Sequence, residues 1–322
     1  MESYIKYSLL LIGLFLLEIM YFRLADKFNI IDKPNERSSH TSITLRGGGV
    51  IFYIGILLYF LLGGFQYPWF FAGLTLIIGI SFADDIRPQS SKLRLCVHFV
   101  AMLLMFYQWD LYSMSWYFTI IALIICTGII NAYNFMDGIN GITGGYSFVL
   151  IITFWYINNY QIAFVDNNLI YFVGLALLVF NFFNFRKKAK CFAGDVGSVA
   201  IAFIVVFLLG LLILKTNDFC YIILLAMYGV DSVLTIMHRL MLKENIFEPH
   251  RKHAFQLLAN ELKLSHIVVS LIYMTLQTLI SVGLFLFFDY KWLYITIILV
   301  ALVATYIIFM KNFFHLHRNK SL

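Results

Sequence analysis

The chain has 322 residues, 61% of them hydrophobic and only 12% charged, which leaves too few charges to wet the surface of a soluble domain of that size. That composition excludes a large water-soluble protein with an oily core and puts the chain in a bilayer. The net charge of +6 needs no nucleic acid partner, because it is what a one-sided distribution of lysine and arginine leaves behind.

Apolar runs of near-spanning length fall at about 4–22, 48–64, 67–83, 95–109, 115–133, 142–160, 168–185, 198–214, 219–237, 267–288 and 291–310. Runs this long and without alternation suit helices rather than barrel strands, since backbone polar groups in lipid must be satisfied within the segment. The expectation is an all-α polytopic membrane protein with about eleven transmembrane helices, one integral domain over 1–322. The first run resembles a signal peptide in position, but Glu18 interrupts it and no small-x-small cleavage site follows, so it is read as a retained span. Cys96, Cys126, Cys191 and Cys220 share no metal or disulfide spacing and are read as small apolar residues.

With the N-terminus outside, all of the 23 Lys and Arg except Lys6, Lys215 and Lys291 fall on the cytoplasmic side. Such a bias over short loops predicts an outer N-terminus and a cytoplasmic C-terminus. The outer loops are short and plain; the inner ones carry the unusual residues.

The first inner loop closes on Gly47, Gly48 and Gly49, where three successive glycines at the mouth of a span imply close backbone approach. The second, "FADDIRPQSSKLR", sets Asp84 beside Asp85 with Arg87, Lys92 and Arg94 close behind. Adjacent carboxylates need a compensating cation, and hard oxygen ligands match Mg²⁺; a salt-bridged helix end is the plain alternative. In "NAYNFMDGINGITGG" the three-residue spacing puts Asn131, Asn134 and Asp137 on one face of a helix end, with Asn140 one step further. Carboxamides fit a sugar or nucleobase and Asp137 a metal or hydroxyl, although Asn and Gly also glue helices together. In "FRKKAKCFAGDVGS", Asp195 between Gly194 and Gly197 suits either a metal at a helix start or a simple cap. The last inner loop, about 238–266, offers His250, Arg251 and His253, three phosphate donors in four residues, or else a basic surface for anionic lipid. No cysteine joins these histidines, so zinc is not indicated. Agreement of five loops on one membrane face points to a pyrophosphate site.

"FADDIRPQSSK", "NAYNFMDGINGITGG", "FAGDVGS" and "HRKHAFQ", in this order, resemble the polyprenyl-phosphate N-acetylhexosamine-1-phosphate transferases, from about residue 24 to about 260. The last motif is similar to the subgroup initiating O-antigen or capsule-type chains in lipopolysaccharide and cell-wall biogenesis. The resemblance implies transfer of a HexNAc-1-phosphate from a UDP-sugar to undecaprenyl phosphate, releasing UMP, at the cytoplasmic face of the bacterial inner membrane. Implied with it are Asp84, Asp85, Asp195, His250, Arg251 and His253 as catalytic residues, and Asp195 and Asp85 as ligands of Mg²⁺ or Mn²⁺. Asn131, Asn134, Asp137, Asn140, Lys92 and Gly47–Gly49 are the expected substrate-binding residues. Asn140 departs from the family, where many members have Asp, and a further acid near Arg87–Ser90 is missing. UDP-GlcNAc is the expected donor; Phe255, Leu257 and Leu258 beside Gln256 keep a 6-deoxy-HexNAc open. The partners implied are the UDP-sugar, the polyprenyl phosphate and the bilayer, with a homodimer admitted. A secondary transporter is the rival of another class, but its polar breaks would lie at the midplane between two related halves.

Overall fold

A computed structural model of the protein describes residues 2–32, 43–246 and 250–313. Of the cations used in the topological reading, Lys33, Arg37, Arg318 and Lys320 lie outside those residues. Twelve α-helices are seen among the described residues: α1 (Glu2–Lys27), α2 (Val50–Leu62), α3 (Pro68–Ile86), α4 (Ser91–Gln108), α5 (Trp116–Met136), α6 (Ile142–Tyr160), α7 (Asn167–Asn184), α8 (Gly194–Thr216), α9 (Ala226–Met241), α10 (Ala254–Asn260), α11 (His266–Leu286) and α12 (Lys291–Lys311). A 3-10 segment, Phe219–Leu225, runs directly into α9. A helix therefore lies over each of the eleven apolar runs, and α10 is the one that no run announces. Eight of these segments are long and apolar enough to cross a membrane. The 13-residue α2 is too short, and α4 and α6 are diluted by polar residues such as Arg94, His98, Asn158 and Asn159.

The bundle is built around α8. Nearly every residue from Val196 to Leu209 is buried, as expected of a helix that is apolar on all sides and enclosed by others. Helices α2, α3, α5 and α6 pack around it. On the α3 side Phe70 stacks on Phe207 with ring centroids 3.8 Å apart, and Gly73 lets α4 approach, where a β-carbon would stand 2.8 Å from the Ala101 carbonyl. Helices α5 and α12 keep most of their surface turned outward, as lipid-facing spans do.

Local signals set the boundaries. Pro68 opens α3, Ser90 caps α4 by accepting Leu93 N–H at 3.3 Å, and Asp166 caps α7 through Asn168 N–H at 3.0 Å. The bundle has two polar ends. At one, Lys6 donates to Asn168 (3.1 Å), Tyr59 donates to Gln66 (2.8 Å) and Asp218 pairs with Lys291. At the other, a two-stranded ribbon of β1 (Ile31–Asp32) and β2 (Thr44–Leu45) extends by a parallel bridge from Leu45 to Cys191, which joins the loop before α2 to the loop before α8.

Candidate active site

The second polar end is organised by the start of α8. Asp85, in the last turn of α3, has no exposed side-chain surface. Its Oδ1 accepts the Asp195 N–H at 3.1 Å and its Oδ2 the Val196 N–H at 3.0 Å, so the carboxylate caps two amides that a helix start leaves unpaired. Gly194 has φ +72°, and a β-carbon there would sit 2.5 Å from Asp85 Oδ2; only glycine permits this approach.

Arg46 reaches the same carboxylate, Nε to Oδ1 at 2.7 Å, and extends Nη2 to Asp195 Oδ1 at 3.5 Å. Arg94, from the first turn of α4, bonds Asp84 Oδ2 at 2.9 Å and lies 3.3 Å from Asp195 Oδ2. Asp84 also accepts the Gln89 N–H at 2.7 Å. The result is an alternating chain, Asp85–Arg46–Asp195–Arg94–Asp84, with three anions and two cations drawn from three separate loops. Burial alone would pull the Arg46 guanidinium down, but Asp85 and Asp195 outweigh it and hold it firmly charged.

The two expected metal ligands are not equivalent. Asp85 has given both oxygens to three donors, two on Oδ1 and one on Oδ2, so it already serves as a helix cap and an arginine partner with little acceptor capacity left over. Asp195 is 20% exposed and its contacts to both guanidinium groups are longer than the usual 2.7–2.9 Å of charge-assisted bonds, so its carboxylate suits a cation. Among the described residues no three His, Cys, Asp or Glu side chains close a metal cage. Mg²⁺ fits such an arrangement, since it is commonly bound by one or two carboxylates with substrate phosphates supplying the rest.

The glycine triplet makes a close approach to the protein itself. Gly48 and Gly49 donate to the Phe192 and Ala193 carbonyls at 2.9 and 3.1 Å, and a β-carbon on Gly47 would fall 2.3 Å from the Tyr21 hydroxyl. This places Arg46, immediately before the triplet, over the start of α8.

Asn134 joins the same centre, its Oδ1 accepting the Ser198 hydroxyl at 2.8 Å. Asp137, just past the end of α5, accepts the Thr143 hydroxyl at 2.7 Å. Burial pushes its carboxyl up to about 7; the Thr143 bond opposes this, and the charges of Asp195 and Asp85 add to it. Asn131 is exposed one turn back on α5, and Lys92 is exposed on α4. Asn140 is set apart from them: it is buried, and its amide donates to the Arg186 and Lys187 carbonyls at 3.0 and 3.2 Å, while its Oδ1 has no partner among the described residues.

The loop after α9 is knit together by Arg239, buried at the end of that helix, which bonds Glu244 (3.1 Å) and the Asn245 and Ile246 carbonyls (2.5 and 3.2 Å). Glu244 also pairs with Lys252. His250 accepts the Lys252 N–H at its Nδ1 (3.3 Å). Burial first, and then the neighbouring His253, Arg239 and Lys252 side chains, lower its pKa to about 3, so the ring is neutral with its proton on Nε2. Arg251 is partly exposed between it and His253, which is buried. The His253 ring lies 6.3 Å from Phe135, the neighbour of Asn134, so α5 touches both halves of the site with adjacent residues. Phe255 and Leu257 turn into the core, Phe255 against Gly138, which removes them from the sugar-lining role considered for them.

Arg46 was legible only as a topological charge, although its place before three glycines was a signal. Asp231, described below, stood as a lone acid in an apolar run, a pattern that by itself marks a functional position.

The profile described as "Glycosyl transferase family 4" matches residues 67–213, from α3 to α8, which includes Asp84, Asp85, Asn134, Asp137 and Asp195. The chain is similar to a "Probable undecaprenyl-phosphate N-acetylglucosaminyl 1-phosphate transferase" of Bacillus subtilis (strain 168), 25% identical over 257 residues that make up 72% of this chain and 70% of the relative. It is also similar to an "Undecaprenyl-phosphate alpha-N-acetylglucosaminyl 1-phosphate transferase" of Escherichia coli O157:H7, 25% identical over 90% of this chain and 88% of that one. A protein with this latter name from Yersinia pestis is 27% identical over 73% and 71%.

Proposed function

Because this chain is a homologue of the polyprenyl-phosphate N-acetylhexosamine-1-phosphate transferases of glycosyl transferase family 4, we propose that it moves a HexNAc-1-phosphate from a UDP-sugar to undecaprenyl phosphate. The products are undecaprenyl-diphosphate-HexNAc and UMP. The supporting observation is the alternating chain of Asp84, Asp85 and Asp195 with Arg46 and Arg94, set beside Asn134 and Asp137 at one end of a membrane bundle. The proposal includes eleven spans, an outer N-terminus and a site on the cytoplasmic face of a bacterial inner membrane. The one-sided lysines and arginines support that orientation.

An oxygen of the lipid phosphate attacks the sugar-bearing phosphorus, and the bond from that phosphorus to the UMP oxygen breaks. One phosphoanhydride replaces another, so the protein's task is to position two polyanions and offset their repulsion. Arg46 and Arg94 supply fixed positive charge, held in place by Asp85 and Asp84. Asp195, with Asp84 as its neighbour, is the carboxylate that would hold Mg²⁺, which when bound draws charge from the diphosphate. A phosphate monoester with a second pKa near 6 is largely ionised at pH 7, so the nucleophile needs no side-chain base. Asn131, Asn134 and Asp137 offer carboxamides and a carboxyl to nucleotide or sugar, while the Nε2–H of His250 and the guanidinium of Arg251 meet phosphate oxygens.

UDP-GlcNAc is the proposed donor, supported by the names of the relatives and by the withdrawal of Phe255 and Leu257 from the open site. The test supplies purified protein with undecaprenyl phosphate, Mg²⁺ and equal concentrations of UDP-GlcNAc, UDP-GalNAc or their 6-deoxy relatives, and compares kcat/KM for UMP release. Preference for UDP-GlcNAc is expected, with release abolished by EDTA. Solute uptake into vesicles without UMP release would replace the enzyme with a transporter, and a hundredfold preference for a 6-deoxy sugar would replace the donor.

A further inference from the structure

Asp231 lies in the apolar run of α9, remote in sequence from every motif above, yet it is 3% exposed and more heavily bonded than any catalytic candidate. Its Oδ1 accepts the Ala254 N–H at 2.9 Å and the Thr235 hydroxyl at 3.2 Å; its Oδ2 accepts the Tyr273 hydroxyl at 2.6 Å and the Phe255 N–H at 3.3 Å. The first turn of α10 is thereby fastened to α9 and α11. The same Oδ1 lies 3.4 Å from Nδ1 of His253.

His253 is itself 2% exposed, and neither ring nitrogen makes a hydrogen bond among the described residues: Nδ1 has the Asp231 carboxylate only at ion-pair distance, and Nε2 has no partner. A buried imidazole without partners is costly unless something outside the protein meets it. Its surroundings indicate where that would be. The ring lies 4.9 Å from the His250 ring and faces Phe135 at the end of α5 that carries Asn134 and Asp137. Gln256 Oε1 accepts the His253 N–H at 3.3 Å, and Phe255 fills the space over Gly138, where a β-carbon would come within 2.9 Å of its ring. The backbone on both sides of His253 is thus immobilised, and only rotation of the ring and the location of its proton are left to be decided.

We infer that Asp231 is a positioning residue that docks α10 and holds the ring proton of His253 on Nδ1, so that Nε2 is the nitrogen presented to the reacting diphosphate. A carboxylate at one ring nitrogen is the usual device for choosing the tautomer and orientation of the other. Nothing in the motif "HRKHAFQ" encodes that choice. It comes from a helix more than twenty residues upstream, and the inference rests on the transferase reading for the identity of the ligand that Nε2 meets.

Two measurements separate this inference from that reading. Long-range ¹H–¹⁵N spectra of the ¹⁵N-histidine-labelled full chain in detergent, with the His253 signal assigned by its loss in His253→Gln, report where the proton sits without any turnover. Protonated Nδ1 in the wild type and its loss in Asp231→Asn are expected. Unprotonated Nδ1 in the wild type, or an unchanged signal in the variant, overturns the inference. In UMP-release assays Asp231→Asn should lower kcat about thirtyfold with KM for UDP-GlcNAc altered less than threefold. In a His253→Gln background the same change should cost less than twofold more. Multiplicative losses would make Asp231 a structural cap alone and overturn its action through His253. Should Asp231→Asn fail to fold, Tyr273→Phe, which removes one acceptor contact and little volume, should lower kcat about threefold in the wild type and not at all in His253→Gln. A protonated Nδ1 with no UMP release by the wild type would overturn the transferase reading and leave the positioning intact.

Discussion

A β-carbon added to Gly49 would stand 2.2 Å from the Cα of Gly197. The entrance to α2 and the first turn of α8 meet backbone against backbone, and this contact brings Arg46 over Asp85 and Asp195.

Gly49→Ala and Gly197→Ala should each lower the melting temperature and abolish activity, because the clashing atoms are backbone and cannot step aside. A loss of about 1–3 kcal/mol or more is expected from overpacking. Gly79→Ala, on an open face of α3 with nothing within 4 Å, is the control and should leave melting temperature and activity unchanged or slightly raised. Thermal unfolding in detergent decides the matter; equal effects at both sites would deny the contact its role.

Asp195→Asn should remove activity and not the fold, since the side chain is partly open and its contacts are long. A fall in kcat of roughly a thousandfold, about 4 kcal/mol, is expected with little change in melting temperature. Asp85→Ala should lose both together, because it uncaps α8 and leaves Arg46, a third exposed, with Asp195 alone; loss of the cap by itself typically costs about 0.5–2 kcal/mol. Comparing melting curve and kcat for the pair tests the division, which fails if Asp85→Ala melts like the wild type.

Arg46→Lys should cut kcat by about tenfold or more. An ammonium is a single point of charge and cannot span Asp85 and Asp195 as the planar guanidinium does. Near-normal turnover in this variant would mean that charge alone, and not the bridge, matters.

Asp137 should make stability depend on pH in the direction opposite to an ordinary salt-bridged acid. The folded protein keeps its proton up to about pH 7, whereas the unfolded chain releases it near pH 4. The stability contributed by neutral Asp137 is therefore complete below about pH 4 and is lost as the pH rises through about 7. Asp137→Asn should melt close to the wild type at pH 4 and increasingly above it as the pH rises to 8. A gap that does not change with pH would show that the carboxyl is not held protonated by the fold.

The membrane class, the eleven apolar runs and the one-sided cations could be read from the sequence, because each follows from composition and spacing within a single segment. So could the grouping of Asp84, Asn134, Asp137 and Asp195 at one polar end of the bundle, since each stands beside a helix end with its own local pattern of glycines and acids. What each carboxylate does could not be read. Asp84 and Asp85 are neighbours in sequence but lie on different sides of a helix end, so one accepts Arg94 and the other caps α8. Asn140 continues the three-residue spacing of Asn131, Asn134 and Asp137, but the chain leaves the helix after Met136 and buries it against the Arg186 and Lys187 carbonyls. Arg46 and Asp231 carry no local signature of their partners, which come from residues 149 and 23 positions away. Periodicity within one segment is decided by the lipid that every apolar face must meet; pairing between polar groups is decided only when helices pack and determine which oxygens still have room for a ligand.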